Sequence, residues 1–253
     1  MLEVKKTSTV RNNVTKIWNT FFAPKTLFND FISLTKTAKS ICALLIVAQL
    51  IAFFYAKDYS INGYLGFAVA LFTIFNLILV DQNKLTNYTW GLPAAAFWLI
   101  VAINNKLIGD IASQSFYFVM QFVGMYVWAK NVDKIRKMTK TKAIFVALFT
   151  IALYGAVLFT SKSLNGNEVY LDALQLPLGI VGQVLMTYKY KAQWVAWLIL
   201  DASTIIIWYS RLGAGGAAAT SMFVLQILMF VNAIYGAYKW NQAQKENELK
   251  GDN

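Results

Sequence analysis

The side chains best placed to do chemistry are a few polar and aromatic residues set inside long apolar stretches. Trp194, Trp197, Asp201, Thr204 and Trp208 fall within a sector of roughly 80° on one helix, at about 100° per residue. A carboxylate among indoles suits a flat ligand, because the rings stack and a cationic ring gains further from their faces and from Asp201. A second stripe carries Asp110, Gln114, Tyr117, Gln121 and Trp128. Asn232 and Tyr235 are three apart and therefore neighbours on a third helix. Gln183 and Asn76 are isolated polar residues in the middle of apolar runs. Polar groups at membrane depth are costly and default to functional candidates. The candidate ligand-binding set is therefore Trp194, Trp197, Asp201, Asn232, Tyr235, Gln121, Gln114, Gln183 and Asn76. Hydrogen bonding between helices is the competing account of the glutamines, Gln183 and Asn76. Trp208, close to one end of its stretch, reads as an interfacial belt residue.

Other chemistries are excluded cheaply. The chain has no histidine and a single cysteine, Cys42, so histidine catalysis, His/Cys metal sites and intrachain disulfides are all absent. No phosphate-cradling GxxxxGK[ST] loop is present, which argues against ATP hydrolysis by this chain. No metal or cofactor is expected. An integral-membrane enzyme is disfavoured for want of an acid–base constellation, and a binding subunit for an ATP-driven partner remains an alternative.

The elements that position these residues are long and apolar. Of 253 residues, 58% are hydrophobic and 14% charged, with a mean hydropathy of +0.49. Soluble domains hold about 25% charged residues. A spanning helix needs about 20 mainly apolar residues, and about eight stretches qualify: 40–56, 63–80, 88–104, 108–129, 143–160, 170–188, 192–210 and 214–238. The fold class expected is an all-α integral membrane protein. With the N-terminus in the cytoplasm, 19 of the 23 Lys and Arg fall on the cytoplasmic side. Only Lys57, Lys106, Lys162 and Arg211 fall opposite, a strong positive-inside bias that puts both termini in the cytoplasm. The same bias explains the net charge of +11 without any nucleic-acid partner. Residues 1–39 differ in kind. Ile17–Trp18, Phe21–Phe22, Leu27–Phe28 and Phe31–Ile32 recur near helical spacing among lysines, as in an amphipathic helix lying on the lipid bilayer. Pro93 and Pro177 are candidate kinks. The run from Gly213 to Ala219 reads as a close helix-packing surface.

The chain also repeats itself. Gln114 with Gly124-x-Tyr126-x-Trp128 matches Gln226 with Gly236-x-Tyr238-x-Trp240, and Trp90 opens one stretch much as Trp194 opens another. The domains expected are a cytoplasmic or interfacial arm (1–39), an extra span (40–57), a three-helix repeat (60–129), a linker helix (143–160), a second three-helix repeat (168–241) and a cytoplasmic tail (242–253). The odd linker helix makes the repeats parallel, a known transporter plan with substrate sites near the midplane.

The stretches Trp194-x-x-Trp197, Asn232-Ala-Ile-Tyr235-Gly236-x-Tyr-x-Trp240 and Gly109-Asp110…Gln114…Gln121-Phe-Val-Gly124…Trp128 together resemble the PnuC family of bacterial vitamin transporters, over roughly residues 60–241. The resemblance implies a three-plus-one-plus-three helix core like that of the SWEET sugar transporters, a homotrimer in the bacterial inner membrane, and facilitated diffusion of nicotinamide riboside. A cytoplasmic nicotinamide riboside kinase would keep uptake downhill. It further implies that Trp194, Trp197, Asn232 and Tyr235 line the site, with Gln121 opposite. One departure stands out: Asp201 occupies a position where the family pattern leads us to expect Asn. Thiamine, riboflavin or a sugar are the alternative cargoes.

Overall fold

The computed structural model describes residues 19–105, 108–130, 135–163, 169–212 and 218–251. A short helix, α1 (Pro24–Ile32), precedes eight long ones: α2 (Lys36–Ala56), α3 (Ile61–Asp81), α4 (Asn87–Asn104), α5 (Ile108–Lys130), α6 (Lys140–Ser163), α7 (Val169–Thr187), α8 (Gln193–Leu212) and α9 (Ala219–Gly251). Within the described residues, each apolar stretch read from the sequence overlaps one of the long helices. Five of them, α2, α3, α6, α8 and α9, hold segments long and apolar enough to cross a membrane. The other three carry buried polar residues, Asn87 on α4, Asp110, Gln114 and Gln121 on α5, and Gln175 and Gln183 on α7, and two of them hold an internal proline, Pro93 and Pro177. The helix α9 runs unbroken to Gly251. The glycines of the 213–219 run, and residues 1–18 of the arm, lie outside the described residues.

Local signals explain the helix ends. Thr35 Oγ1 accepts from Ala38 N (3.2 Å) to start α2, and Ser60 Oγ accepts from Gly63 N (3.2 Å) to start α3. The turns after α3 and α7 each place one residue at positive φ, Asn83 (53°) and Lys189 (58°). A short bridge joins Arg136 to the α7–α8 turn, with Arg136 N donating to Lys189 O (2.7 Å).

Helix neighbours follow a simple pattern. Consecutive pairs α3–α4, α4–α5, α7–α8 and α8–α9 pack together, and two further pairs close a ring: α5 on α7, and α9 on α3. Six helices therefore surround one axis. Outside the ring, α2 packs on α3 and α9, and α6 packs on α7. Gln49, fully buried on α2, donates from Nε2 to Ser221 O (3.2 Å) at the start of α9. By contrast α6 buries none of its residues, as expected of an apolar helix facing lipid or another copy.

Two expectations fail on burial. Trp208 is fully covered, packed with Val69, Trp98, Ala218 and Met222, and so is not a belt residue. Nor does the arm lie only on lipid. Phe21 is buried beside Tyr88, Phe31 packs edge-on against Phe75 and Trp90, and Thr86 Oγ1 donates to Asp30 Oδ2 (2.6 Å). Lys84 adds an ion pair to Asp30 at 4.0 Å. Phe28 and Ile32 stay exposed, which keeps one apolar edge of α1 available to the bilayer.

Candidate functional site

The ring encloses a cavity of about 960 Å³, counting its open mouth, to which all six helices contribute. On α8, Trp194, Trp197, Asp201 and Thr204 face it together, as their spacing implies. Trp197 can lie flat against α7 because Gly182 leaves room: a Cβ there would sit 2.9 Å from the indole. Its Nε1 donates to Gln193 Oε1 (3.3 Å), and Tyr117 of α5 tilts against it at 6.0 Å between ring centres. Two aromatic rings, those of Trp197 and Tyr117, thus meet in the cavity wall.

Asp201 is 2% exposed, lines the cavity, and leaves Oδ1 without a hydrogen-bond partner. Beside it Thr204 Oγ1 donates to Gln175 Oε1 (3.0 Å), and Gln175 Nε2 donates to Ser203 Oγ (3.3 Å), fixing α7 to α8. Across the cavity stand Gln121, with Oε1 unpartnered, and Asn76, whose Nδ2 donates to Asn87 O (2.9 Å). Gly91 admits both amides: a Cβ there would lie 2.6 Å from Gln121 Oε1 and 2.8 Å from Asn76 Nδ2. Gln114, Gln183 and Gln226 also line the wall, and Gln183 Nε2 and both polar atoms of Gln226 have no partner. Buried amides left open in this way are available to a ligand. Two carboxylates, Asp110 and Asp201, line the cavity, and among the described lining residues there is no Lys or Arg.

Of the nine candidates, seven converge on the cavity and two do not. Asn232 is fully buried but turns away, its Nδ2 donating to Asp81 Oδ1 (3.3 Å). Tyr235 meets Gln82 instead, accepting from Nε2 at 3.4 Å. Trp128, the last residue of the α5 stripe, is also outside; its Nε1 donates to Met186 O (3.3 Å) at the end of α7. Trp240 does the reciprocal thing, donating to Val80 O (3.1 Å) at the end of α3. Gly124 abuts the Tyr88 ring and Gly236 the Trp194 ring. The counterpart of Trp194 by these contacts is Tyr88, not Trp90, which packs outward on Phe31, Phe72 and Phe75. The candidate set also omitted Thr73, Gln175 and Gln226, each a polar residue facing inward from an apolar helix.

A multi-pass helical bundle around a central aromatic and polar cavity has the architecture of a carrier for small molecules. Residues 63–242 match the family described as nicotinamide mononucleotide transporter. The chain is 25% identical over 213 residues to the nicotinamide riboside transporter PnuC of Haemophilus influenzae, covering 80% of this chain and 88% of that one. The PnuC of Neisseria mucosa is 24% identical, with 74% and 75% covered, and that of Escherichia coli 25%, with 73% and 90% covered. A crystal structure of the vitamin B3 transporter PnuC shares the fold, with TM-score 0.74 at 22% identity over 84% of this chain and 93% of that one. The chain belongs to the PnuC family of membrane transporters.

Proposed function

We propose that this protein takes up nicotinamide riboside across the bacterial inner membrane by facilitated diffusion. The observation that carries the reading is the charge of the cavity: indoles and two carboxylates, with no basic side chain among the described lining residues. Nicotinamide riboside is a flat cation with a polar sugar. Its pyridinium ring would stack on Trp197 and Trp194 with Asp201 as counter-ion, while Gln121, Gln114, Gln183 and Asn76 would meet the amide and ribose. A phosphorylated nucleotide would bring negative charge into the same cavity with no cation to receive it, at a large desolvation cost. The riboside named for the relatives therefore fits better than the mononucleotide of the family description. Thiamine, also a cationic aromatic, is the second reading on the same observation; riboflavin and sugars lack the charge.

The mechanism proposed is alternating access by two parallel three-helix units, α3–α5 and α7–α9, joined by α6, with eight spans counting α2. Reciprocal pairing of α5 with α7 and of α9 with α3, and the reciprocal bonds of Trp128 and Trp240, support a two-fold relation between the units. Both termini are taken as cytoplasmic from the lysine bias. A cytoplasmic nicotinamide riboside kinase would consume the product and keep the flux inward. A homotrimer is proposed from the family resemblance, and native mass spectrometry in detergent tests it. The substrate reading is tested by titrating purified protein with nicotinamide riboside, following tryptophan fluorescence and calorimetry. Saturable binding weakened by Trp197→Ala supports it, whereas binding of thiamine alone replaces the cargo.

A further inference from the structure

A second cavity opens beside the first, on the lysine-rich face of the bundle. It spans about 730 Å³ with its mouth, and its walls include Asp81, Gln82, Lys239, Gln242 and Glu246. The two cavities are separated by a thin partition. Val80 lines the central cavity and its neighbour Asp81 lines the second. Trp240 closes the partition by its bond to Val80 O (3.1 Å), and Trp194 by packing on Gly236.

Asp81 is the unexplained group in this wall. It is 3% exposed, Asn232 Nδ2 holds Oδ1 at 3.3 Å, and Oδ2 has no partner. No Lys or Arg of the described residues is ion-paired with it. Lys239, on the same cavity, instead donates to Gln242 Oε1 at 3.5 Å. A buried carboxylate left with an open oxygen is costly unless something else completes it. Asn232 fixes the carboxylate from the α9 side, and Tyr235 holds Gln82 in the adjacent wall. The two candidates that miss the central cavity therefore both support this second one.

We propose that the second cavity is a separate binding station for the same cationic nucleoside, occupied on the basic side of the partition. Asp81 receives the cation or the ribose diol, and Glu246 contributes negative charge at the rim. The inference rests on the proposed substrate. A substrate leaving the central cavity toward this face crosses the Val80–Trp194–Trp240 layer, and Asp81, next to Val80 in the chain, lines the cavity on its far side.

Equilibrium binding of radiolabelled nicotinamide riboside to the purified full chain, extended to millimolar ligand, tests it. Two classes of site are expected. Trp197→Ala weakens the tighter class about tenfold or more and leaves the weaker one; Asp81→Asn weakens the weaker class about tenfold or more and leaves the tighter within about threefold. Should Asp81→Asn fail to fold, Glu246→Gln on the exposed rim is expected to weaken only the weaker class, by about two- to fivefold. A single class that disappears with Trp197→Ala, or a weaker class indifferent to both acidic substitutions, overturns the second station while leaving the substrate standing. No saturable binding to the wild-type chain overturns both.

Discussion

Replacing Asp201 by Asn keeps the size of the side chain and removes its charge, and so separates a counter-ion from a packing residue. A pyridinium ring about 4 Å from the carboxylate would gain roughly 4 kcal/mol at an effective dielectric of about 20. Part of that is returned because the ring loses its own hydration on entering the cavity. A net loss of about 1.5–3 kcal/mol remains, the range for hydrogen bonds and contacts to charged groups. Nicotinamide riboside should then bind Asp201→Asn about 10- to 150-fold more weakly. The uncharged dihydronicotinamide riboside supplies the control, because it keeps the ribose and amide but lacks the ring charge. Competition calorimetry with both ligands on wild type and variant forms a cycle in which only the charge–charge pair changes twice. The expected result is a large loss for the cation and less than about a threefold change for the neutral ligand. Equal losses would assign Asp201 a packing or hydrogen-bonding role, and unchanged binding of the cation would remove it from the site.

Other perturbations test the surrounding framework. Trp197→Ala removes the stacking plane and should weaken affinity about tenfold or more, read by the same calorimetry. Gly182→Ala would place a methyl 2.9 Å from that indole, so the ring must move; a lower affinity with little change in melting temperature is expected. Gly236→Ala puts its Cβ 2.3 Å from Trp194 and 2.5 Å from Asp81 Oδ1, between two buried groups, and overpacking should destabilise by about 1–3 kcal/mol in a detergent melt. Phe21→Ala should free the arm from the Tyr88 and Trp128 cluster, making the segment before Pro24 cut faster in limited proteolysis while binding is retained.

How much of this was legible in the sequence differs by the physics involved. Spans were readable because burial in lipid demands long apolar runs, and Asp201 was readable because a carboxylate in such a run must face inward. Helical spacing correctly grouped Trp194, Trp197, Asp201 and Thr204. The same spacing grouped Asn232 with Tyr235, but periodicity says which residues share a face and not which neighbour that face meets; here it meets Asp81 and Gln82. Trp208 failed for a related reason. Nearness to the end of a helix does not reveal that Trp98 and Met222 cover the ring. The docking of the arm rests on Thr86–Asp30, a contact between residues far apart in the chain that leaves no periodic trace. Thr73, Gln175 and Gln226 went unassigned because a lone hydroxyl or amide in an apolar helix is equally consistent with a bond to a neighbouring helix.

The central claim is that this chain alone carries nicotinamide riboside downhill through the ring of six helices. Purified protein in liposomes loaded with unlabelled substrate should exchange it for external radiolabelled nicotinamide riboside, saturably and without effect of protonophores or sodium ionophores. Trp197→Ala should abolish most of the exchange, and encapsulated kinase with ATP should turn it into accumulation. Exchange that requires an ion gradient, or none at all from protein that still binds the riboside, would contradict the account.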